Sequence, residues 1–79
     1  MTFIPSGPAE IETELVTLCA RLLDVPNITA SDCFFDVGGD SLRAVELVSE
    51  VKQRFDFELM LSDIIETDLR GLARKIAQR

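Results

Sequence analysis

A serine that follows two glycines and an aspartate is the residue of this chain best placed in sequence for chemistry. The string is Gly38, Gly39, Asp40 and Ser41. Glycine has no side chain to crowd a neighbouring hydroxyl and tolerates positive φ, and aspartate is a favoured helix N-cap. The string therefore predicts a serine at the first position of a helix, with a hydroxyl that another protein can reach. The alternative is that these residues only begin a helix, and the string alone does not separate the two interpretations.

Other chemistries that these residue types could support are excluded by what the sequence lacks. A serine-hydrolase elbow of the form G-x-S-x-G would need glycine in place of Arg43, and the chain has no histidine to act as its base. A calcium loop beginning at Asp36 would need glycine at Ser41 and glutamate at Leu47. Two cysteines without histidine do not make an ordinary zinc site. We therefore expect no catalytic residue and no metal site.

Two apolar residues close to Ser41 lie outside the apolar face of the helix to which they belong. Leu42 is the neighbour of Ser41, and Val45 lies one turn further on. An apolar pair beside an accessible hydroxyl predicts a surface on which partner proteins dock. The alternative is that Leu42 packs beneath the preceding loop and Val45 is an isolated surface residue, which is common. Helical geometry alone favours neither interpretation.

A first helix and a long loop precede this serine. Apolar residues recur at helical steps between Pro8 and Asp24, which predicts an amphipathic helix over that range. Those residues are Ile11, Leu15, Leu18 and Leu22. Residues 1–7, MTFIPSG, are typical of a flexible segment or the remnant of a linker. The connection from Asp24 to Asp40 is long for so small a domain; such loops are often functional, and we expect this one to be ordered.

Three further helical segments follow the loop. Asp40 is placed to cap the second helix, whose buried stripe should consist of Ala44, Leu47, Val48, Val51 and Phe55. Residues 55–61 should form an extended connection, because no second strand candidate exists to pair with them. Ser62 is placed to cap a short helix that ends at Glu66, and Asp68 to cap a last helix. The chain is therefore predicted to be all-α, a small bundle of three main helices and one short helix.

Length and charge limit the class of protein and the kind of partner. The chain has 79 residues, enough for one small domain. Fourteen acidic residues against eight basic ones give a net charge of −6, which repels phosphate backbones and anionic lipids. No segment approaches the ~20 apolar residues of a membrane span, and the two cysteines are expected to be reduced thiols. We expect a cytoplasmic monomer that binds neither nucleic acid nor membranes.

The segment FFDVGGDSLRAVELVSEVKQRF resembles the core motif of peptidyl carrier (thiolation) domains of nonribosomal peptide synthetases. The resemblance continues through the first helix, the 55–61 connection and the closing LRGLARKI, so it covers nearly the whole chain. It implies a four-helix bundle of acyl-carrier type over residues 8–79. It also implies that Ser41, supported by Gly38, Gly39 and Asp40, accepts 4′-phosphopantetheine covalently from coenzyme A.

The resemblance further implies a carrier that is itself not catalytic. A phosphopantetheinyl transferase would modify Ser41, and aminoacyl or peptidyl groups would then travel as thioesters in nonribosomal peptide biosynthesis. Adenylation, condensation, thioesterase or tailoring domains would be the partners, and Leu42 and Val45 would become docking residues. Two alternatives remain: an acyl carrier protein of fatty-acid or polyketide type, and an unmodified helical adaptor that binds proteins through the same face.

Overall fold

The structure, a computed structural model, describes residues 7–78, and within them the chain forms four α-helices and no strand. The helices are α1 (Pro8–Leu23), α2 (Ser41–Phe55), α3 (Leu61–Glu66) and α4 (Leu69–Ala77), with a short 3-10 helix at Phe34–Val37. The predicted all-α bundle, with its one short helix and its long loop between the first two helices, is confirmed. Residues 1–6 of the predicted flexible segment lie outside the described residues.

Helix α1 buries a stripe of residues spaced three or four apart. Ile11, Leu15 and Cys19 have no exposed surface, and Leu18 is 2% exposed. The helix ends one residue before its predicted boundary, because Asp24 adopts a left-handed conformation with φ of 56°. Asp24 donates its backbone N–H to the carbonyl of Ala20, which satisfies one of the carbonyls left open at the helix end.

Helix α2 carries the predicted stripe with one adjustment. Ala44, Leu47 and Val51 are fully buried and Phe55 is 2% exposed. Val48 is only partly buried and packs at the edge of the core. The helix stops where Asp56 turns into the left-handed region, with φ of 54°. The residues of α2 that face the core therefore follow the helical period of the sequence.

Helix α3 begins earlier than predicted. Its first residue is Leu61 and its N-cap is Met60, so the prediction that Ser62 caps this helix is wrong. The reason is Asp63, whose carboxylate Oδ2 accepts the backbone N–H of Met60 at 3.1 Å and ties the chain into a turn before Ser62. Ser62 instead lies exposed in the first turn.

Helix α4 begins where the sequence predicts. The Oδ1 atom of Asp68 accepts the backbone N–H of Gly71 at 2.8 Å, as an N-cap should. A Cβ atom at Gly71 would overlap the side-chain oxygen of Thr67, so a larger residue there would force that side chain to move. The buried face of α4 consists of Leu69, Leu72, Ala73 and Ile76. These residues pack against α1 and complete the core.

The long loop is ordered by hydrogen bonds at both of its ends and in its middle. Thr29 and Asp32 form a single turn, in which the carbonyl of Thr29 accepts the N–H of Asp32 at 3.1 Å. The first turn of α4 then donates two backbone N–H groups to the loop, from Leu69 to Asp32 and from Arg70 to Ala30. Those groups would otherwise lack partners at a helix start. The prediction of an ordered loop is confirmed.

Charged side chains connect the helices at the surface. Arg54 of α2 pairs with Glu14 of α1 at 3.4 Å, and Lys75 of α4 pairs with Asp63 of α3 at 3.1 Å.

Between residues 7 and 78, none of the helices is both long enough and apolar enough for a bilayer. Both cysteines are free thiols, with Cys19 buried in the core.

Candidate functional site

Ser41 is the first residue of α2, and its side chain is exposed to solvent. The turn that presents it is held by Asp40, whose Oδ1 accepts the backbone N–H of Arg43 at 2.9 Å. The carbonyl of Asp40 accepts the N–H of Ala44 at 2.9 Å. The side chain of Asp40 is thus occupied with the cap, while the hydroxyl of Ser41 bonds to none of the residues between 7 and 78. The predicted accessible hydroxyl at a helix start is present.

The two glycines before Asp40 meet different structural demands. Gly38 has a φ of 109°, a conformation that side-chain-bearing residues rarely adopt. Gly39 instead needs to be small, because a Cβ atom there would overlap the ring of Phe34 and lie 2.7 Å from its carbonyl oxygen. The N–H of Gly39 donates to that carbonyl at 3.0 Å. Phe34, which is fully buried, therefore holds the backbone of Gly39 in place two residues before Ser41.

The charges on the first turns of α2 are arranged around an ion pair. Arg43 Nη1 lies 2.8 Å from Glu46 Oε1, and this hydrogen bond raises the pKa of the guanidinium further. Asp36, in the 3-10 helix, and Asp40 add negative charge on the side of the loop. The surface around the hydroxyl is therefore acidic, and the guanidinium of Arg43 is already paired with Glu46.

A groove of about 360 Å³ opens beside Ser41. Its walls come from the loop and 3-10 helix, from the start of α2 and from α3; besides Ser41 they consist of Cys33, Phe35, Asp36, Ile64 and Ile65. Partial burial and the carboxylates of Asp36, Asp68 and Asp32 raise the pKa of the Cys33 thiol. The groove thus joins apolar walls, one carboxylate and a protonated thiol to the exposed serine.

The apolar residues predicted for docking are exposed. Leu42 is 69% exposed, so it does not pack beneath the loop, and Val45 is 58% exposed. Sequence reasoning did not single out the exposed residues of α3 and its N-cap, which are Met60, Leu61 and Ile65. The sequence carries no signal for their exposure, because Leu61, Ile64 and Ile65 have the spacing of a single helical face that could equally be buried.

The site lies within a segment that matches a known family. Residues 13–76 match the family described as "Phosphopantetheine attachment site". The chain is 39% identical over 77 residues to cyclochlorotine synthetase of Talaromyces islandicus, an alignment that spans 96% of this chain. It is 40% identical over 70 residues to gramicidin S synthase 2 of Brevibacillus brevis, across 87% of this chain. The chain spans only 1% and 2% of the lengths of these two relatives.

A solved structure shares the fold. The structure of the phosphopantetheine transferase Sfp in complex with coenzyme A and a peptidyl carrier protein contains a chain that aligns with a TM-score of 0.85. The alignment covers 96% of this chain and 97% of that chain, with 28% sequence identity. The whole bundle, and not an isolated helix pair, is therefore shared.

Proposed function

Because the chain belongs to the phosphopantetheine attachment-site family, we propose that Ser41 is the residue that receives phosphopantetheine and that the domain serves as a carrier in nonribosomal peptide synthesis. The observation that carries the proposal is an exposed, unbonded hydroxyl at the start of α2, inside the segment that matches the family. The domain is a substrate of a transferase and a carrier of intermediates, and is itself not catalytic.

The residues around Ser41 fit an attached phosphopantetheine. A phosphodiester on the hydroxyl would lie at the positive end of the α2 dipole, and Gly38 and Gly39 leave the approach free of side chains. The groove beside the serine offers further room. When attached, phosphopantetheine supplies a terminal thiol, which holds aminoacyl and peptidyl groups as thioesters.

In its own modification Ser41 supplies the nucleophile, and the transferase supplies the base. Its Oγ attacks the phosphorus that bears pantetheine in coenzyme A, a new O–P bond forms, and the bond to adenosine 3′,5′-bisphosphate breaks. The proton leaves Oγ for a base on the transferase, because the chain has no histidine and the carboxylate of the adjacent residue, Asp40, is engaged in the cap. The role of this chain in the reaction is to keep the hydroxyl of Ser41 accessible to the transferase.

Partner domains would dock around the serine through the exposed apolar residues. Leu42 and Val45 on α2, joined by Ile65 of α3, supply apolar contact area on the side of the bundle that carries Ser41. The acidic surroundings favour partners with basic patches, so salt should weaken association.

The two free cysteines support a reducing, cytoplasmic location.

The test is an intact-mass measurement. The chain is incubated with coenzyme A, magnesium and a broad-specificity phosphopantetheinyl transferase, alongside Ser41→Ala and the matched control Ser49→Ala. Ser49 is an exposed serine further along the same helix. We expect one phosphopantetheine on the parent chain and on Ser49→Ala, and none on Ser41→Ala.

The opposite results have distinct meanings. A modified Ser41→Ala variant would assign the attachment to another residue. Absence of modification on a folded parent chain, across several transferases, would favour the adaptor interpretation, in which Asp40 and Ser41 only begin a helix.

A further inference from the structure

Phe34 connects the approach to Ser41 with the hydrophobic core, although it precedes the serine by seven positions. Its side chain has no exposed surface and belongs to the core cluster. Its ring meets the ring of Phe35 edge to face, with 5.6 Å between the centroids and 89° between the planes. Because a close-packed core has little free space, the ring cannot shift without a rearrangement of its neighbours.

The two glycines before the serine are both bound to this phenylalanine. The carbonyl of Phe34 accepts the N–H of Gly38, and it also accepts the N–H of Gly39 at 3.0 Å. The ring carbons Cδ2 and Cε2 of Phe34 occupy the space in which a Cβ atom of Gly39 would lie, so the backbone of Gly39 lies directly against the ring. The ring therefore determines how closely the chain approaches the core just before α2 begins.

Between Gly39 and the serine, only the backbone and the helix cap fix the position of the chain. Asp40 comes next; its Oδ1 accepts the N–H of Arg43, and its carbonyl accepts the N–H of Ala44. The hydroxyl of Ser41 has no hydrogen bond to the described part of the chain. The place of that oxygen thus depends on where the first turn of α2 lies, and on the ring that supports the backbone before it.

Resting on the proposed function, we infer that Phe34 is a positioning residue for the attachment of phosphopantetheine to Ser41. Since it is fully buried, it reaches neither the transferase nor coenzyme A, and it acts through the backbone of Gly39. The attacking Oγ must lie in line with the phosphorus and the bond that breaks. A displacement of about 1 Å from such a geometry can slow a reaction by ~100-fold.

Binding of the transferase depends on other side chains. In the proposed function the contact area comes from exposed residues such as Leu42 and Val45, and neither of them belongs to the core cluster of Phe34. A substitution of Phe34 that preserves the fold should therefore lower the rate of attachment within the complex and leave the affinity of the complex nearly unchanged.

The experiment measures attachment in single turnovers, with coenzyme A saturating and a broad-specificity phosphopantetheinyl transferase in excess over the carrier. A titration of the transferase gives a maximal rate and a half-saturating concentration, which separate the chemical step from binding. The variants are Phe34→Leu, which leaves a gap beneath Gly39, and Phe34→Met, whose flexible side chain fills more of that gap. Urea unfolding of each variant gives the folded fraction, to which its rate is referred.

Phe55→Leu is the matched control. It removes the same atoms from the same core cluster, at a side chain that is 2% exposed. Phe55 ends α2, which Ser41 begins, so it lies about 21 Å from the serine along the helix.

We expect both Phe34 variants to lower the maximal rate by about tenfold, with the half-saturating concentration within about twofold of the parent value. Phe55→Leu should keep both quantities within about twofold of the parent values, although it also loses stability.

Three results would overturn the inference while leaving the proposed function intact. The first is a folded Phe34 variant that is modified at the parent rate. The second is a rise in the half-saturating concentration alone, which would show that Phe34 shapes the docking surface. The third is an equal loss of maximal rate in Phe55→Leu, which would attribute the effect to stability. A parent chain that gains no phosphopantetheine would instead refute the proposed function, and the inference with it.

Discussion

Gly39 shows how a residue without a side chain can help to set the position of an exposed hydroxyl, that of Ser41. The ring of Phe34 occupies the space that a Cβ atom of Gly39 would need. We predict that Gly39→Ala destabilises the domain by about 1–3 kcal/mol through overpacking, as measured by urea unfolding. In a double-mutant cycle with Phe34→Leu, the two costs should be less than additive, because the smaller side chain relieves the overlap. Strict additivity would contradict this explanation.

The two cysteines differ in reactivity because they differ in burial. Burial raises the pKa of the Cys19 thiol to about 12, whereas Cys33 is partly exposed. We predict that iodoacetamide near neutral pH modifies Cys33 alone in the folded chain and modifies both residues in denaturant, as measured by peptide mass. Equal rates at the two residues in the folded chain would place Cys19 outside the core.

At the scale of elements, helix α2 presents a buried face to the core and an exposed face to solvent, and a substitution tests the role of the exposed face. Val45 is 58% exposed and belongs to the face that we assign to docking. We predict that Val45→Glu leaves folding and modification of Ser41 intact but lowers turnover of the loaded carrier by a partner domain in a reconstituted reaction. Ser49→Glu, which adds the same charge at an exposed position on the same helix, is the control. Normal turnover by Val45→Glu would refute the docking role.

An ion pair links the short helix α3 to α4, and it should make the stability of the folded domain depend on pH. Asp63 Oδ1 lies 3.1 Å from Lys75 Nζ, and Oδ2 accepts the N–H of Met60. The hydrogen bond from Lys75 and that from Met60 lower the pKa of Asp63 below its ordinary value of 3.8. A carboxyl whose pKa is lowered by folding stabilises the folded state above its unfolded pKa, and this contribution is lost as pH falls through the folded pKa.

We therefore predict that Asp63→Asn is less stable than the parent chain at about pH 6 and that the difference shrinks below about pH 4. The measurement is the free energy of unfolding in urea across that range. A difference that stays constant with pH would show that Asp63 acts by packing and not by its charge.

At the scale of the whole molecule, one core holds the bundle together, and Phe55 closes it at the end of α2. Its side chain is 2% exposed, and it belongs to the single cluster that joins all four helices. We predict that Phe55→Ala costs about 3–5 kcal/mol, a large share of the ~5–15 kcal/mol that natural domains hold. Phe57→Ala, at a partly buried position against the same cluster, should cost less. Thermal and urea unfolding of both variants measures the comparison.

Much of this architecture could be predicted from the sequence because it depends on local rules. The helical stripes of α1, α2 and α4 follow the period of their apolar residues, and Asp40 and Asp68 cap the helices that they precede. The exposure of Ser41 follows from the same local pattern of glycines and cap. In such stretches the energy of a residue depends mainly on neighbours within four positions along the chain.

The tertiary structure alone decided the features that depend on residues far apart in sequence. Which of two adjacent isoleucines in α3 is buried depends on how that helix packs against the loop, and Ile64 is buried while Ile65 is exposed. The groove that joins Cys33 to Ser41 and Ile65 likewise exists only after three elements have come together. Periodicity assigns residues to faces of one helix, but it contains no information about which neighbouring element will cover each face, and that choice determines the surroundings of the serine.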